Sequence, residues 1–122
     1  MKKKSEGKPV TKERILKTIG LSYRAGLMTS GFEAIELALH AGAVALLILA
    51  KDGSDKQREK LRRIAKEENT LTSDFATAEE LGGAIGKPSR IAIAILDEGM
   101  AKKLHGQIDI VNEQEASAEK AE

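Results

Sequence analysis

The stretch Gly82-Gly83-Ala84-Ile85-Gly86-Lys87 comes closest to a ligand-binding motif in this sequence, because glycines followed by a lysine can hold a phosphate. A Walker-type phosphate loop needs a glycine five residues before the glycine that precedes the lysine, and a hydroxyl residue directly after the lysine. Leu81 and Pro88 occupy these two positions. The stretch also follows a predicted helix rather than a strand, so we interpret it as a helix end and a tight turn.

Histidine and carboxylate side chains are the other residues that could support catalysis or bind a metal ion. His40 and His105 are far apart in the sequence, and the chain has no cysteine to complete a ligand set. Asp52-Gly53-Ser54-Asp55 lacks the terminal glutamate and the alternating oxygens of a calcium loop, so it is interpreted as a turn and helix cap. Asp97-Glu98 is interpreted in the same way. We therefore predict no catalytic residue, no metal and no cofactor, and expect a protein that is not an enzyme.

Charge is unevenly distributed along the chain, although the net charge of its 122 residues is only +1. From Met1 to Arg24 there are eight lysines and arginines and two acids, whereas Glu113 to Glu122 holds four glutamates and one lysine. A basic arm can neutralise nucleic-acid phosphates, and it fits an ordinary solvated terminus equally well. Both interpretations stay open at this point.

The composition excludes several classes of protein. Without cysteine there is no disulfide scaffold and no thiolate site. Tyr23, Phe32 and Phe75 are the only aromatic residues, too few for a platform that stacks single-stranded nucleic acid. No stretch approaches the roughly 20 apolar residues that a bilayer span needs, and no apolar signal core follows the first lysines. We therefore expect a cytoplasmic protein that does not contact membranes.

The elements that must position any functional residue centre on Ala43–Ala50, which is apolar throughout. The absence of polar alternation predicts a strand that is buried on both faces. A second inner strand is predicted over Arg90–Leu96, where isoleucines alternate with alanines, and an edge strand over Thr70–Phe75. Apolar residues at helical spacing predict five helices: Thr11 to Gly26, Ser30 to Ala41, Lys56 to Glu68, Ala78 to Ile85 and Met100 to His105.

Several smaller features complete the predicted fold. Gly20 lies inside the first helix, where it predicts a close packing contact. Ile108–Val111 is predicted as a last partial strand, and the alternation of helices and strands predicts a three-layer α/β/α domain. The predicted organisation is a flexible basic arm over residues 1–10, one domain over 11–111 and a flexible acidic tail over 112–122. Helix caps are predicted at Thr11, at Ser30 with Glu33 in a capping box, and at Thr77 with Glu80 in another.

An ordered set of short motifs between Ile15 and Leu104 carries a family resemblance. The chain resembles the bacterial YlxQ-like proteins of the ribosomal protein L7Ae kink-turn RNA-binding superfamily. The form of Gly31-Phe32-Glu33 is similar to a version in which this domain follows a YlxR-like domain, so the resemblance implies a lone or an excised C-terminal half of such a fusion. The matching motifs are Gly20-Leu21, Arg24-Ala25-Gly26, Ser30-Gly31-Phe32-Glu33, Leu47-Ile48-Leu49-Ala50-Lys51-Asp52, Glu80-Leu81-Gly82, Ala84-Ile85-Gly86 and Ile91-Ala92-Ile93-Ala94-Ile95.

The resemblance implies an α/β/α sandwich with a four-stranded mixed sheet. It also implies that RNA is held by the start of the second helix, the loop after the central strand and the apolar loop before the last inner strand. At the helix start the family carries a glycine, an asparagine two residues on, then a glutamate, and a lysine six residues after the glycine. These polar groups read sheared G·A pairs in a kinked RNA, and backbone amides of the helix start receive a phosphate.

This chain departs from that pattern at the helix start. Gly31 is kept, but Glu33, Ala34 and Leu37 stand where the asparagine, the glutamate and the lysine would be. Two base-reading or phosphate-pairing groups are therefore missing, and Glu33 adds a charge that repels phosphate. The resemblance implies a weakened version of the RNA site, formed by Arg24, Gly31, Phe32, Glu33, Ala34, Leu37, Lys51, Asp52, Ile85, Gly86, Lys87 and Arg90.

Two functions follow from these residues. Lys51, Lys87 and Arg90 each fit an ordinary solvated charge when taken singly, but their convergence at one rim of the sheet favours RNA. The leading interpretation is a monomeric, non-enzymatic domain that recognises structured RNA, kink-turn-like or ribosomal, mainly through its backbone and shape. The alternative is a protein-interaction or structural module that kept the fold and lost the RNA site, with Phe32 and Leu37 as partner contacts.

Overall fold

The computed structural model describes residues 9–121, with side chains described for residues 9–119. Within this range the helices and strands alternate through most of the chain, as the sequence predicts. The elements are α1 (Lys12–Arg24), β1 (Met28–Ser30), α2 (Phe32–His40), β2 (Leu46–Leu49), α3 (Asp55–Glu67), β3 (Leu71–Asp74), α4 (Ala78–Ala84), β4 (Ala92–Ile95) and α5 (Glu98–Ala121).

The four strands form one mixed sheet in the order β1-β4-β2-β3. β2 pairs with β3 in parallel, and β4 runs antiparallel to both β1 and β2. All four residues of β2 are buried, which confirms that the apolar run in mid-chain is an inner strand. β3 lies at one side of the sheet, so the predicted edge strand is confirmed. The α/β class with a four-stranded mixed sheet is confirmed as well.

Two hydrophobic cores lie on opposite faces of the sheet. Ile93 and Ile95 of β4 belong to the core beneath α1, α4 and α5, whereas Ala92 and Ala94 face the core beneath α2 and α3. The predicted alternation is therefore confirmed: the isoleucines of β4 face one core and its alanines face the other. Helices cover both faces, which gives the predicted three layers. Among the described residues, no helix combines the length and the apolar character needed to cross a bilayer.

Most of the predicted helix starts are confirmed by hydrogen bonds. The hydroxyl of Thr11 accepts from the backbone N–H of Arg14 at 3.2 Å, and Thr77 and Glu80 form both bonds of a capping box. The predicted capping box at Ser30 is wrong. Gly31 is the N-cap of α2 and no side chain caps this helix, because Ser30 is the last residue of β1 and pairs with Ile93.

The fourth strand lies in a different place from the one predicted. Ile108–Val111 is not a strand but part of α5, and the fourth strand is β1. Ala101, Leu104, Ile108 and Val111 are all buried, and their spacing of three or four residues is that of one continuous helix face. β1 has three residues, too few for a two-residue period to be recognised.

The two ends of the chain were predicted as a flexible arm and a flexible tail, and the structure describes most of the second and little of the first. The predicted acidic tail begins inside α5, which continues to Ala121, so residues 112–121 are helical. Most of the predicted basic arm lies outside the described residues. Val10, at its end, is partly buried against the core of α1, α4 and α5. The division into arm, domain and tail otherwise stays a prediction.

Candidate functional site

One edge of the sheet gathers most of the predicted site residues. β4 runs antiparallel to β1 and β2, and β3 runs parallel to β2, so β1, β2 and β3 end where β4 begins. We call this the carboxyl edge. Gly31 directly follows β1, Lys51 follows β2, and Arg90 lies just before β4, so the topology brings these three residues to the carboxyl edge.

Gly31 is the N-cap of α2 and lines a small pocket at this edge. Its φ of 95° is a backbone conformation that favours glycine. The first backbone bond of the helix runs from the N–H of Ile35 to the carbonyl of Gly31 at 2.9 Å. The N–H groups of residues 32–34 therefore have no acceptor within α2, and they carry the positive end of its dipole. The pocket measures about 200 Å³ and is lined by Gly31, Phe32, Gln57, Ser89, Arg90, Ile91 and Ala92.

Arg90 places a fixed cation in the same pocket. Its Nε donates to the Ser30 hydroxyl at 3.4 Å, and its Nη1 donates to the carbonyl of Ser89 at 3.1 Å. Its backbone N–H donates to the carbonyl of Ala78 at 2.9 Å, which ties the residue to the start of α4. A guanidinium beside an uncapped helix start is an arrangement that attracts an anionic oxygen.

Lys51 and Asp52 lie at the carboxyl edge, but both already have partners in the fold. The Asp52 carboxylate accepts from the backbone N–H of Ala78 at 2.7 Å, so it caps α4. The Lys51 ammonium lies 3.0 Å from a carboxylate oxygen of Glu115, on α5. Asp52 is therefore a structural residue in this geometry, whereas the Lys51 side chain remains 44% exposed.

Arg24, Ile85, Gly86 and Lys87 form a separate group between α1 and the end of α4. A groove of about 340 Å³ is lined by Gly20, Tyr23, Arg24, Gly83, Ala84, Ile85 and Gly86. The Lys87 ammonium lies 6.0 Å from the centre of the Tyr23 ring, so its side chain is near α1. Ile85 is only 7% exposed and belongs to the core, so its side chain offers little surface to a partner.

The remaining predicted residues lie on the outer side of α2, close to Gly31. Glu33 and Ala34 are exposed, and Leu37 is 73% exposed. Positions three and four residues apart share one helix face, so these three side chains form a continuous patch beside the pocket. Phe32 is half-buried, and the Lys60 ammonium lies 5.6 Å from the centre of its ring.

The N-terminus of α4 adds a charge pair to the carboxyl edge. The Lys12 ammonium lies 3.0 Å from a carboxylate oxygen of Glu80. The hydrogen bond to Glu80 raises the pKa of Lys12. Bonds from the Thr77 backbone N–H and from Lys12 lower the pKa of Glu80. Within the described residues, no group of three or more His, Cys, Asp or Glu side chains is placed to hold a metal ion.

Sequence reasoning missed the residues that hold the charged groups in place. Ser30 and Ser89 orient Arg90, and Glu115 pairs with Lys51. Ser30 reaches Arg90 because β1 and β4 are neighbours, and this strand order is not readable from local patterns. For Glu115 the sequence offers one indication. Buried residues at helical spacing in α5 continue to Val111, and Glu115 follows one helical turn later.

Comparisons with known proteins agree with the α/β fold described above. A solved structure of a protein of unknown function from Bacillus halodurans C has a TM-score of 0.75 and 31% sequence identity, and the match covers 79% of this chain and 97% of that one. The RNA-binding protein YlxQ of Bacillus subtilis (strain 168) is 26% identical over 91 residues, which make up 75% of this chain and 91% of the relative.

The family comparison also covers most of the chain. The profile of the ribosomal protein L7Ae/L30e/S12e/Gadd45 family matches residues 13–105, which include all of α1 but its first residue, the whole sheet and the first third of α5. The matched segment contains every predicted site residue. The chain therefore belongs to the ribosomal protein L7Ae/L30e/S12e/Gadd45 family.

Proposed function

We propose that this protein is a non-enzymatic RNA-binding protein that contacts structured RNA at the carboxyl edge. The observation that carries the proposal is the position of Arg90, held by Ser30 and Ser89 beside the uncapped start of α2. Membership of the L7Ae family supports it, as does the similarity to a relative that is named an RNA-binding protein. Backbone N–H groups and a fixed guanidinium together suit a phosphate oxygen.

The charges around the pocket favour recognition of the RNA backbone rather than of base identity. A phosphate at the N–H groups of residues 32–34 would be paired with Arg90, and Lys51 would contact a neighbouring phosphate. Glu33 is exposed next to the pocket and repels a further phosphate, although its carboxylate can accept from guanine N–H groups. Ala34 and Leu37 offer no polar group to a base. The chain is therefore suited to a bent or compact RNA, kink-turn-like or ribosomal, that it recognises by shape.

The test is a titration with ribosomal RNA fragments that contain or lack a kink-turn, at low and moderate salt. Arg90→Gln removes the cation and should weaken binding at least about tenfold, since hydrogen bonds to charged groups contribute about 1.5–3 kcal/mol. It should also reduce the slope of log K against log salt by up to about 1. Lys103→Gln is the matched control, because Lys103 is an exposed cation on α5 that lines a different groove, with Arg14 and Lys17. Absence of binding to any structured RNA at low salt would refute the proposal.

The exposed patch on α2 favours a second candidate function, a module that binds another protein. Leu37 is 73% exposed, and Ala34 is exposed one turn before it. An apolar residue this exposed beside a candidate site fits a protein contact. Under this alternative, a partner remains bound after nuclease treatment and is lost with Phe32→Ala.

Leu37→Lys discriminates between the two functions. It places a lysine at the position where the resemblance implies one, and both residues are good helix formers, so folding should change little. If the patch faces RNA, the added cation strengthens RNA binding and steepens its salt dependence. If the patch binds a protein, the same change weakens the capture of that partner and leaves RNA binding at its starting level.

A further inference from the structure

The last part of α5 reaches the carboxyl edge with polar residues. Along the sheet, α5 presents buried apolar residues that end with Ile108 and Val111. At helical spacing the same face continues with Asn112 and Glu115. The Asn112 side-chain amide donates to the carbonyl of Asp74 at 2.9 Å, and Asp74 is the last residue of β3. This hydrogen bond fixes the helix at the edge where the strands end.

Glu115 brings a carboxylate to the cations of this edge. Its Oε1 lies 3.0 Å from the Lys51 ammonium, and their side chains are 49% and 44% exposed. Glu115 also lines a pocket of about 170 Å³ together with Lys12, Lys51, Phe75, Ala76, Thr77 and Glu80. Its charge contributes to the raised pKa of Lys12. The Glu115 carboxylate is therefore the anion that pairs with the Lys51 ammonium in this structure.

We propose that Glu115, at the acidic end of α5, competes with RNA phosphates for Lys51 and so weakens RNA binding at low salt. This inference rests on the proposed function and adds an element of control within the same chain. Exposed ion pairs are weak, so we expect the competition to change affinity by a factor of about two to five. Salt screens the Lys51–Glu115 pair as well as the contacts with phosphate, so the competition should be strongest at low salt and should make the salt dependence of RNA binding shallower.

The test compares Glu115→Gln with Glu113→Gln in an RNA titration over a series of salt concentrations. Glu113 is exposed and lies two residues before Glu115, about 200° around the helix, so the control changes the same charge on the opposite face. Glu115→Gln should bind RNA about two to five times more tightly than the control at low salt. The slope of log K against log salt should steepen by up to about 1, because Lys51 then contacts phosphate without first losing a protein partner.

Lys51→Gln shows whether the effect passes through the ion pair. In that background, adding Glu115→Gln should no longer change the affinity, because the two residues act as one unit. Equal affinities and slopes for the Glu115 and Glu113 variants would overturn the inference, as would a gain that persists without Lys51. Such results leave the proposed function standing if the wild-type protein binds RNA and Arg90→Gln weakens that binding. Failure of both wild type and Glu115→Gln to bind any structured RNA would overturn the inference together with the proposed function.

Discussion

Replacing Gly82 with alanine tests how tightly the connection between α4 and β4 is held. A Cβ atom at this position would lie 2.0 Å from the carbonyl oxygen of Pro88, 2.6 Å from its carbonyl carbon and 2.9 Å from the carbonyl oxygen of Lys87. All three are backbone atoms, so no side-chain rotation can relieve the contact. A hydrogen bond also ties the connection to α4 here, because the N–H of Lys87 donates to the carbonyl of Gly82 at 2.9 Å.

The expected cost follows from these distances. Non-bonded carbon contacts are most favourable near about 3.5 Å, so the backbone of residues 87–88 must move by more than about 1 Å. Overpacking of this kind costs about 1–3 kcal/mol, and backbone atoms place Gly82 at the upper end of that range. Alanine recovers about 0.5–1 kcal/mol because it suits a helix interior better than glycine. We therefore expect Gly82→Ala to lower the free energy of unfolding by about 2 kcal/mol.

Gly83→Ala is the matched control in the same helix. A Cβ there would meet nothing within 4 Å, so the substitution should stabilise the protein by about 0.5–1 kcal/mol. Urea unfolding of both variants and the wild type measures the difference. Displacement of residues 87–88 should also weaken RNA binding, because Arg90 follows in the same connection. A Gly82→Ala variant as stable as Gly83→Ala would refute the packing described here.

Two further substitutions test the contacts of α1 and α4. Gly20→Ala should lower stability by about 1 kcal/mol after its gain in helix propensity, because its Cβ would lie 2.7 Å from the carbonyl oxygen of Ala84; a urea midpoint equal to that of the wild type would contradict this. Glu80→Gln should cost about 0.5–1 kcal/mol at neutral pH, because glutamine can keep the capping box with Thr77 but loses the ion pair with Lys12 and the negative charge in the first turn of α4. Because the pKa of Glu80 is lowered in the folded state from 4.5, its contribution is present above that pH and is lost as the pH falls through the folded value. The stabilities of wild type and Glu80→Gln should therefore converge in acid, and a constant difference between pH 7 and pH 3 would contradict the assignment.

The inner parts of the fold were predictable because their signals are local. The apolar run around β2 and the alternation of isoleucine and alanine in β4 each specify burial within one strand. The close contact predicted for Gly20 is confirmed by its distance from α4. β1 was not predicted, because three residues are too few to show the two-residue alternation of a strand. The sequence around Ser30 also resembles a helix N-cap, which concealed the strand. The end of α5 was misread because Ile108–Val111 is rich in β-branched residues, although its burial follows a helical period.

The site was predictable only where position along the chain decides which edge of the sheet a residue reaches. Gly31, Lys51 and Arg90 each adjoin a strand end, and the mixed sheet brings those ends to one edge. What each side chain contacts there depends on strand order and helix length. Ser30 could not be assigned to Arg90 without the pairing of β1 with β4, nor Glu115 to Lys51 without the full length of α5.

Chemical-shift mapping of the labelled protein during a titration with structured RNA tests the central claim most directly. If RNA binds at the carboxyl edge, the backbone amides of Gly31, Phe32 and Arg90 should shift first and furthest, with Lys51 following. The same titration with Arg90→Gln should show smaller shifts at Gly31 for the same RNA concentration. Shifts confined to the opposite edge, around Leu96 where β4 has ended, or no shifts with any structured RNA at low salt, would contradict the account.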